Sequence, residues 1–316
     1  MPLTCGASGG MVGASYYVGN LDEMETRIER MQFRKERKKY VSMLNGSREF
    51  YDNLTADFLT PVMNTFVFHD IPFMFAPWSP KTDRGIALQE EWMKVKGRKG
   101  SLPMATTFAQ LRNRERQGEV PSLAFTPMIV EDGRRLVISN LDFRWVATNG
   151  GHRLANGGTH FSVEALELFR MFPQRQSSVR IATAARMSAS FPYVSSPAVL
   201  PTNPRRRVVD AGYYDNFGVS LAASWLFSTN HQTVLQERNV QRVLLIQVRD
   251  GVSDPDRRLE EVRNTPTNQL MRAAEEVTTP LTGFYNGQSS SSSFRNDGLL
   301  EPLSQYAEAK KQGSRR

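Results

Sequence analysis

The sequence predicts an α/β fold, a sheet layered by helices, and three observations carry the prediction. Short apolar runs that read as strands (122–130, 136–139, 207–209 and 240–248) alternate with helical patterns (162–171, 179–189 and 219–227). The chain opens on Cys5-Gly6-Ala7-Ser8-Gly9-Gly10-Met11, which contains Gly6-x-Ser8-x-Gly10, the sequence form of a strand turning sharply into a helix with serine at the tip. Asp210 follows the short strand Arg207-Val208-Val209, at the carboxyl edge of a strand, where open α/β sheets place their sites.

Composition narrows the classes. The 316 residues are enough for one large domain or two small ones, and 40% hydrophobic with 23% charged residues fits a globular chain with a substantial core. The net charge of +8 favours an anionic partner, with a phospholipid surface or an acidic substrate among the candidates. No Lys/Arg run interleaved with aromatics marks a nucleic-acid module, so no nucleic-acid partner is expected. The single cysteine, Cys5, excludes an intrachain disulfide. One cysteine and four histidines without paired ligand spacing argue against a structural zinc site, and no cofactor is expected. The most apolar stretch, Phe58 to Trp78, is interrupted by Pro61, His69, Asp70, Pro72 and Pro77 and does not read as a membrane span. With no secretory signal visible, a cytoplasmic or peripheral membrane location is expected.

Taken in order, the small residues Gly9, Gly10, Gly13 and Ala14 predict a helix passing close to the strand before it. Asp22 to Leu44 reads as a highly charged helix, with Arg34 to Lys39 a solvated face. Residues 48–80, rich in Phe, Met and Pro, read as an irregular apolar cap or lid over the core, or as ordinary packing beneath a long insertion. Ile86 to Lys96 is a helix containing Trp92, and Arg112 to Gln117 is a helix end or loop. Ser122 to Val130 and Leu136 to Ser139 form a hairpin around Asp132-Gly133, and Pro127 requires an edge or a bulge in its first strand. His152 and His160 fall in a polar glycine-rich loop. Ser162 to Met171 reads as an amphipathic helix, Val179 to Ala189 as a small-residue helix, Val219 to Phe227 as a helix, and Val240 to Val248 as the clearest buried strand. A further helix over Asn268 to Val277 and a mobile, basic, serine-rich tail complete the reading.

A serine hydroxyl attacking a carbonyl needs a base, most often a histidine. None of His69, His152, His160 and His231 sits in a convincing catalytic context; His231 reads as a surface loop residue. Asp210 is the stronger candidate, although taken alone a turn or capping role is the simpler account of it. By itself, Gly6-x-Ser8-x-Gly10 is also compatible with a plain glycine-rich turn.

Together, however, Gly6-Ala7-Ser8-Gly9-Gly10 and Asp210-Ala211-Gly212, with Tyr214-Asp215-Asn216 close behind, resemble the patatin-like phospholipase family. The hairpin around Pro121 to Ser139 and the helix-then-proline segment Ala184 to Pro192 support the resemblance, as does the separation of 210 − 8 = 202 residues between the two motifs. The resemblance implies a three-layer α/β/α patatin-like sheet in a hydrolase domain over 1–285, with 22–115 an insertion or cap and 286–316 a disordered tail. It implies a lipid acyl hydrolase cleaving carboxylic esters without a metal, with a lipid substrate and an anionic membrane surface as partners. Ser8 would be the nucleophile and Asp210 the base. Gly6, Gly9 and Gly10 would form the elbow, the Gly9 N–H donating to the oxyanion, and Gly212 would belong to the second motif. Two departures stand out. Ala211 occupies a position where the family has glycine, and alanine adopts positive φ less cheaply. The family's glycine-rich, Arg-containing oxyanion loop and its strand have no counterpart upstream of Ser8, so a truncated reading frame or fragment is expected. Loss of one oxyanion donor alone costs roughly 10²–10³ in rate. A catalytically impaired remnant acting as a membrane-surface or protein-interaction module is the alternative. A third reading, an anionic ligand at the glycine-rich helix start, leaves Asp210 unused.

Overall fold

The computed structural model describes residues 2–21, 51–53, 55–75, 83–97, 101–144, 147–148, 163–191, 195–240 and 242–248. Among the described residues, eight strands form one open, mixed sheet with helices packed against it, an α/β fold.

The sheet is built on the predicted hairpin. β1 (Leu3–Gly6) runs parallel to β2 (Ser122–Phe125), with Gly6 opposite Phe125. The chain then breaks at Thr126-Pro127 and resumes as β3 (Met128–Ile129). Pro127 has no N–H to give a ladder, which is why the strand is interrupted there. Gly133, at φ 70°, turns the chain into β4 (Arg135–Ser139). One edge of β4 pairs with both halves of the broken strand, Ile138 with Phe125 and Arg135 with Met128. Its other edge carries β6 (Val163–Glu167) in parallel, and β6 carries β5 (Ala147–Thr148). β8 (Arg206–Val209) runs antiparallel to β3, with Val209 opposite Met128, and β7 (Ala198–Leu200) lies outside it.

This register positions the site. Since β4 occupies one side of the β2–β3 strand, β1 and β8 both lie along the opposite side. They run toward each other: β1 ends opposite Phe125 and β8 ends opposite Met128. Three residues of extended chain span about 10 Å. The residues just past the two strand ends, Ala7-Ser8 and Asp210, are thus delivered to one gap over Thr126-Pro127.

Side chains alternate across the sheet. Leu123, Phe125, Leu136 and Ile138 join the main core with Met11 of α1 (Ser8–Gly19), Trp92 of α4 (Arg84–Lys94), Phe108 and Leu111 of α5 (Phe108–Gln117) and Ile181 of α7 (Ile181–Ser188). Ala124 and Val137 face a smaller cluster with Phe143, Ala165 and Leu221 of α8 (Val219–Phe227). Each large side chain so enclosed contributes about 1.5–3 kcal/mol. Phe108 is the hub, meeting the Phe125 and Phe169 rings edge-on at 6.1 and 5.0 Å. α5 begins with a full capping box, Thr107 with Gln110, and stops at Gly118, φ 79°. The sequence reading found only its C-terminal half.

Other expectations are corrected. Residues 59–75 are helical rather than irregular: α2 (Leu59–Thr65), a π turn (Phe66–Asp70) and α3 (Ile71–Phe75) follow without a break. Pro61 sits in the first turn, and the wide π turn precedes Pro72, whose missing N–H an ordinary α-helix would have needed. Arg84 anchors this stretch, pairing with Asp70 at 3.2 Å and lying over the Phe66 ring. The amphipathic helix expected over 162–171 is β6 followed by one turn, α6 (Leu168–Met171). Pairing with buried β4 overrides the helical preference of Ala165, Leu166 and Glu167.

Residues 242–248 form no strand, and Leu244, Ile246 and Val248 are 82%, 73% and 85% exposed. Apolar composition favours a strand, but a strand exists only with a partner, and this run pairs with none among the described residues. Similarly β1 is the terminal strand of the described sheet. The small residues of α1 do not serve close packing as expected: a Cβ on Gly9, Gly10 or Gly13 would meet nothing. Close approach occurs instead at Gly19, where a Cβ would come within 2.3 Å of Pro103 Cβ. The charged helix at 22–44, the histidine loop at 150–160, the helix at 268–277 and the tail lie outside the described residues. No helix among the described residues is long and apolar enough to cross a membrane.

Candidate active site

Ser8 is the first residue of α1 and has φ 49°, one of two non-glycine residues at positive φ among those described. The left-handed conformation costs serine roughly 1–2 kcal/mol. It is the sharp strand-to-helix turn that Gly6-x-Ser8-x-Gly10 predicts, with buried Ala7 below and exposed Gly9 and Gly10 above. Ala7, at the N-cap, offers no side-chain acceptor to the first-turn amides. Those amides have no intrahelical acceptor either, and they carry the positive end of the helix dipole. Gly9 and Gly10 leave open space beside them. Gly6 is in ordinary contact with Met11, 3.5 Å from a would-be Cβ.

Asp210 leaves β8 and caps a 3₁₀ turn, Ala211–Tyr213. Its Oδ1 accepts the Gly212 N–H at 2.6 Å, and its own N–H donates to the Ser190 carbonyl at 3.2 Å, just past α7. The capping role open to Asp210 from sequence therefore occupies one oxygen. The other, Oδ2, is buried and accepts no hydrogen bond of normal geometry. The Ser8 hydroxyl lies within interaction range of this carboxylate. Burial raises the Asp210 pKa from 3.8 to about 6, against the Gly212 amide and the Ser8 hydroxyl, which both lower it. Gly212 is glycine for a steric reason: a Cβ there would stand 2.6 Å from Asn216 Oδ1 and 2.8 Å from Asp210 Oδ1. Ala211 is fully buried in the 3₁₀ turn at negative φ, so the departure from glycine costs nothing in backbone conformation.

The two sequence candidates, separated by 202 residues (210 − 8), therefore meet, and no described histidine is needed to bring them together. His231, on α9 (Thr229–Glu237), stacks on Trp225 with ring centroids 3.7 Å apart, and burial lowers its pKa. His69 lies in the π turn. No group of three or more His, Cys, Asp or Glu among the described residues could hold a metal ion. The sequence reading missed Ser190, Arg135 and Gly218 around the site. Only Gly218 had a visible signal, in the turn-like spacing Asp215-Asn216-Phe217-Gly218.

Chemically, a hydroxyl at a strained helix start, beside open amides and a carboxylate whose pKa lies near neutrality, can be deprotonated as it attacks an electrophilic carbon. Comparison with family models, with curated proteins and with solved structures finds no match to this chain.

Proposed function

We propose that the protein is a serine acyl hydrolase of the patatin-like kind, with a three-layer α/β/α sheet and a Ser8–Asp210 dyad that cleaves carboxylic esters of lipids. The observation that carries the reading is the approach of the Ser8 hydroxyl, at a left-handed elbow, to a buried carboxylate whose pKa is held near 6.

In the proposed cycle Ser8 Oγ bonds to the ester carbonyl carbon while its proton passes to Asp210. The tetrahedral oxyanion is met by the first-turn amides of α1, Gly9 first. The C–O bond to the leaving alcohol breaks, and the alcohol takes the proton from Asp210. Water then adds to the acyl-serine as Asp210 accepts its proton, and the carboxylic acid leaves as Ser8 regains a hydrogen. An aspartate near pKa 6 is ionised at neutral pH yet basic enough to share the proton in the transition state. Lipid is favoured as the substrate class by the net charge of +8 and by the exposed apolar side chains of 59–75, with Phe68 71% and Phe75 85% exposed. Those side chains equally support the second reading, a surface-binding module without turnover.

A fluorophosphonate probe separates the two. Wild type should be labelled at Ser8, Ser8→Ala should not react, and Asp210→Asn should react far more slowly. Equal labelling of all three proteins would end the dyad proposal. Absent labelling of a folded wild type would favour the non-catalytic module.

A further inference from the structure

The Asp210 loop is tied to the rest of the molecule at its far end, by groups that the proposed reaction does not use. Asp215 accepts on Oδ1 from the Phe217 and Gly218 amides at 3.1 and 2.9 Å, and on Oδ2 from the Ser220 amide and hydroxyl at 3.2 and 2.5 Å. Arg135, on β4, reaches the same knot. Its Nη2 donates to Ser220 Oγ at 2.6 Å, its Nη1 lies 3.7 Å from Asp215 Oδ2, and its guanidinium lies 4.0 Å over the Tyr214 ring. Both charged side chains are almost wholly buried, at 4% and 3% exposure.

The knot bears on Ser8 through Gly218. This residue has φ 67°, and a Cβ on it would fall 2.6 Å from Gly6 N and 2.9 Å from Cys5 C. The Cys5 thiol donates to the Gly218 carbonyl at 3.3 Å. Burial and then the Asp215 charge push the Cys5 thiol up to about 12, with Arg135 opposing, so both members of the ion pair are felt on β1. The strand register explains how one side chain can do this. Arg135, Met128 and Val209 lie in one row across β4, β3 and β8, and Asp210 is the next residue. The loop thus begins at Asp210 beside Ser8 and ends with Gly218 pressed on the strand that carries Ser8.

We propose that Arg135 and Asp215, acting through Ser220 and Gly218, are positioning residues that fix the separation of Ser8 and Asp210. The guanidinium holds the loop to β4, the Asp215 carboxylate folds the loop's end, and Gly218 sets its distance from β1. The assignment rests on the dyad reading for its catalytic meaning, but the geometric claim can be tested without turnover.

The test compares wild type, Arg135→Lys, Ser220→Ala and the double variant Arg135→Met with Asp215→Asn, each shown to be folded by circular dichroism. The double variant removes both charges, so it leaves no buried unpaired ion and adds almost no net electrostatic effect at Asp210. Two quantities are read: the Asp210 titration by carboxylate NMR, assigned with Asp210→Asn, and the rate of fluorophosphonate labelling of Ser8. In wild type the midpoint is expected near 6. In the double variant it should fall toward the ordinary aspartate range as water reaches the loosened loop, and labelling should slow roughly 10- to 100-fold. Ser220→Ala should move both in the same direction by less, and Arg135→Lys should restore part of each. An unchanged midpoint and labelling rate in the folded double variant would overturn the assignment. If wild type takes no label, the dyad reading fails while the Asp210 midpoint still decides the clamp.

Discussion

At the residue scale, Asp210 ties stability to pH with a definite sign. Its folded pKa of about 6 is above the 3.8 of an unfolded aspartate, because the carboxylate is desolvated. Below 3.8 both states hold the proton. Between the two values the native state holds it and the unfolded chain does not, so stability falls as pH rises. Above 6 both are ionised and the native state bears the full cost, about 3 kcal/mol for a shift of this size. Asp210→Asn keeps an oxygen to accept the Gly212 amide and removes that cost. It is expected to match wild type near pH 4 and to gain up to about 3 kcal/mol above pH 7 in urea unfolding. The labelling rate of wild type should rise with pH through a midpoint near 6, and that limb should be missing in Asp210→Asn. A variant no more stable at pH 8 than at pH 4, relative to wild type, would show that the carboxylate is not buried as charge. Ser8 and Asp210 were legible as candidates because each stands in a local pattern, Gly6-x-Ser8-x-Gly10 and Asp210-x-Gly212, although the structure shows a steric need for glycine only at Gly212. Arg135 was not legible: an arginine inside an apolar strand carries no local signal of the loop, 85 residues away at Ser220, that it holds.

At the element scale, helix termini are set by single side chains, and one of them carries two loads. Asp83 caps α4 by accepting the Ile86 amide at 2.8 Å, and the same carboxylate faces Arg186 of α7 at 3.3 Å. Gly85 follows because a Cβ there would stand 2.7 Å from Arg186 Nε and Ser195 Oγ. Arg186 is buried, and desolvation lowers its pKa against the opposing Asp83 charge. Asp83→Asn keeps a capping oxygen and loses the ion pair. Asp83→Ala loses both. Because Asp83 is one-third exposed, the pair is discounted to about 1–2 kcal/mol, and the cap adds about 1 kcal/mol. Thermal or urea unfolding should therefore rank wild type above Asp83→Asn above Asp83→Ala, and equal stability of the two variants would remove the cap from the account. The elements read correctly from sequence share this local logic. α8 matches its expected span, 219–227, and the hairpin follows from Asp132-Gly133 and Pro127. Those misread are the ones decided by distant partners. Val163–Glu167 is a strand because β4 offers it an edge, and 242–248 is not a strand because no edge among the described residues meets it.

At the scale of the whole molecule, two apolar surfaces stand open among the described residues, together with the outer edge of β1. The ridge Leu59, Met63, Val67, Ile71 and Phe75 recurs every fourth residue along 59–75, all of it exposed. The run Val243-Leu244-Leu245-Ile246 is exposed as well, and β1 has no strand on its outer edge among the described residues. These surfaces differ in what they invite. A helical ridge that ends in Phe75, with exposed Phe68 next to Val67, can lie in a lipid interface, where burial of each side chain is worth about 1.5–3 kcal/mol. A short run rich in Val, Leu and Ile, with no proline, is the composition that pairs edge-to-edge with other chains. The two therefore predict separable behaviour. Phe68→Ser with Phe75→Ser should reduce sedimentation with anionic phosphatidylserine vesicles and leave self-association unchanged. Leu244→Lys with Ile246→Lys should suppress concentration-dependent self-association, read by light scattering at micromolar protein, and leave vesicle binding unchanged or slightly higher through the added positive charge. Each lysine keeps its charge in water, so a strand carrying two of them would have to bury or splay both to join a sheet. If the lysine variant scatters light as wild type does, 242–248 is not the adhesive segment. If the serine variant sediments with vesicles as wild type does, the ridge at 59–75 is not the face that meets lipid.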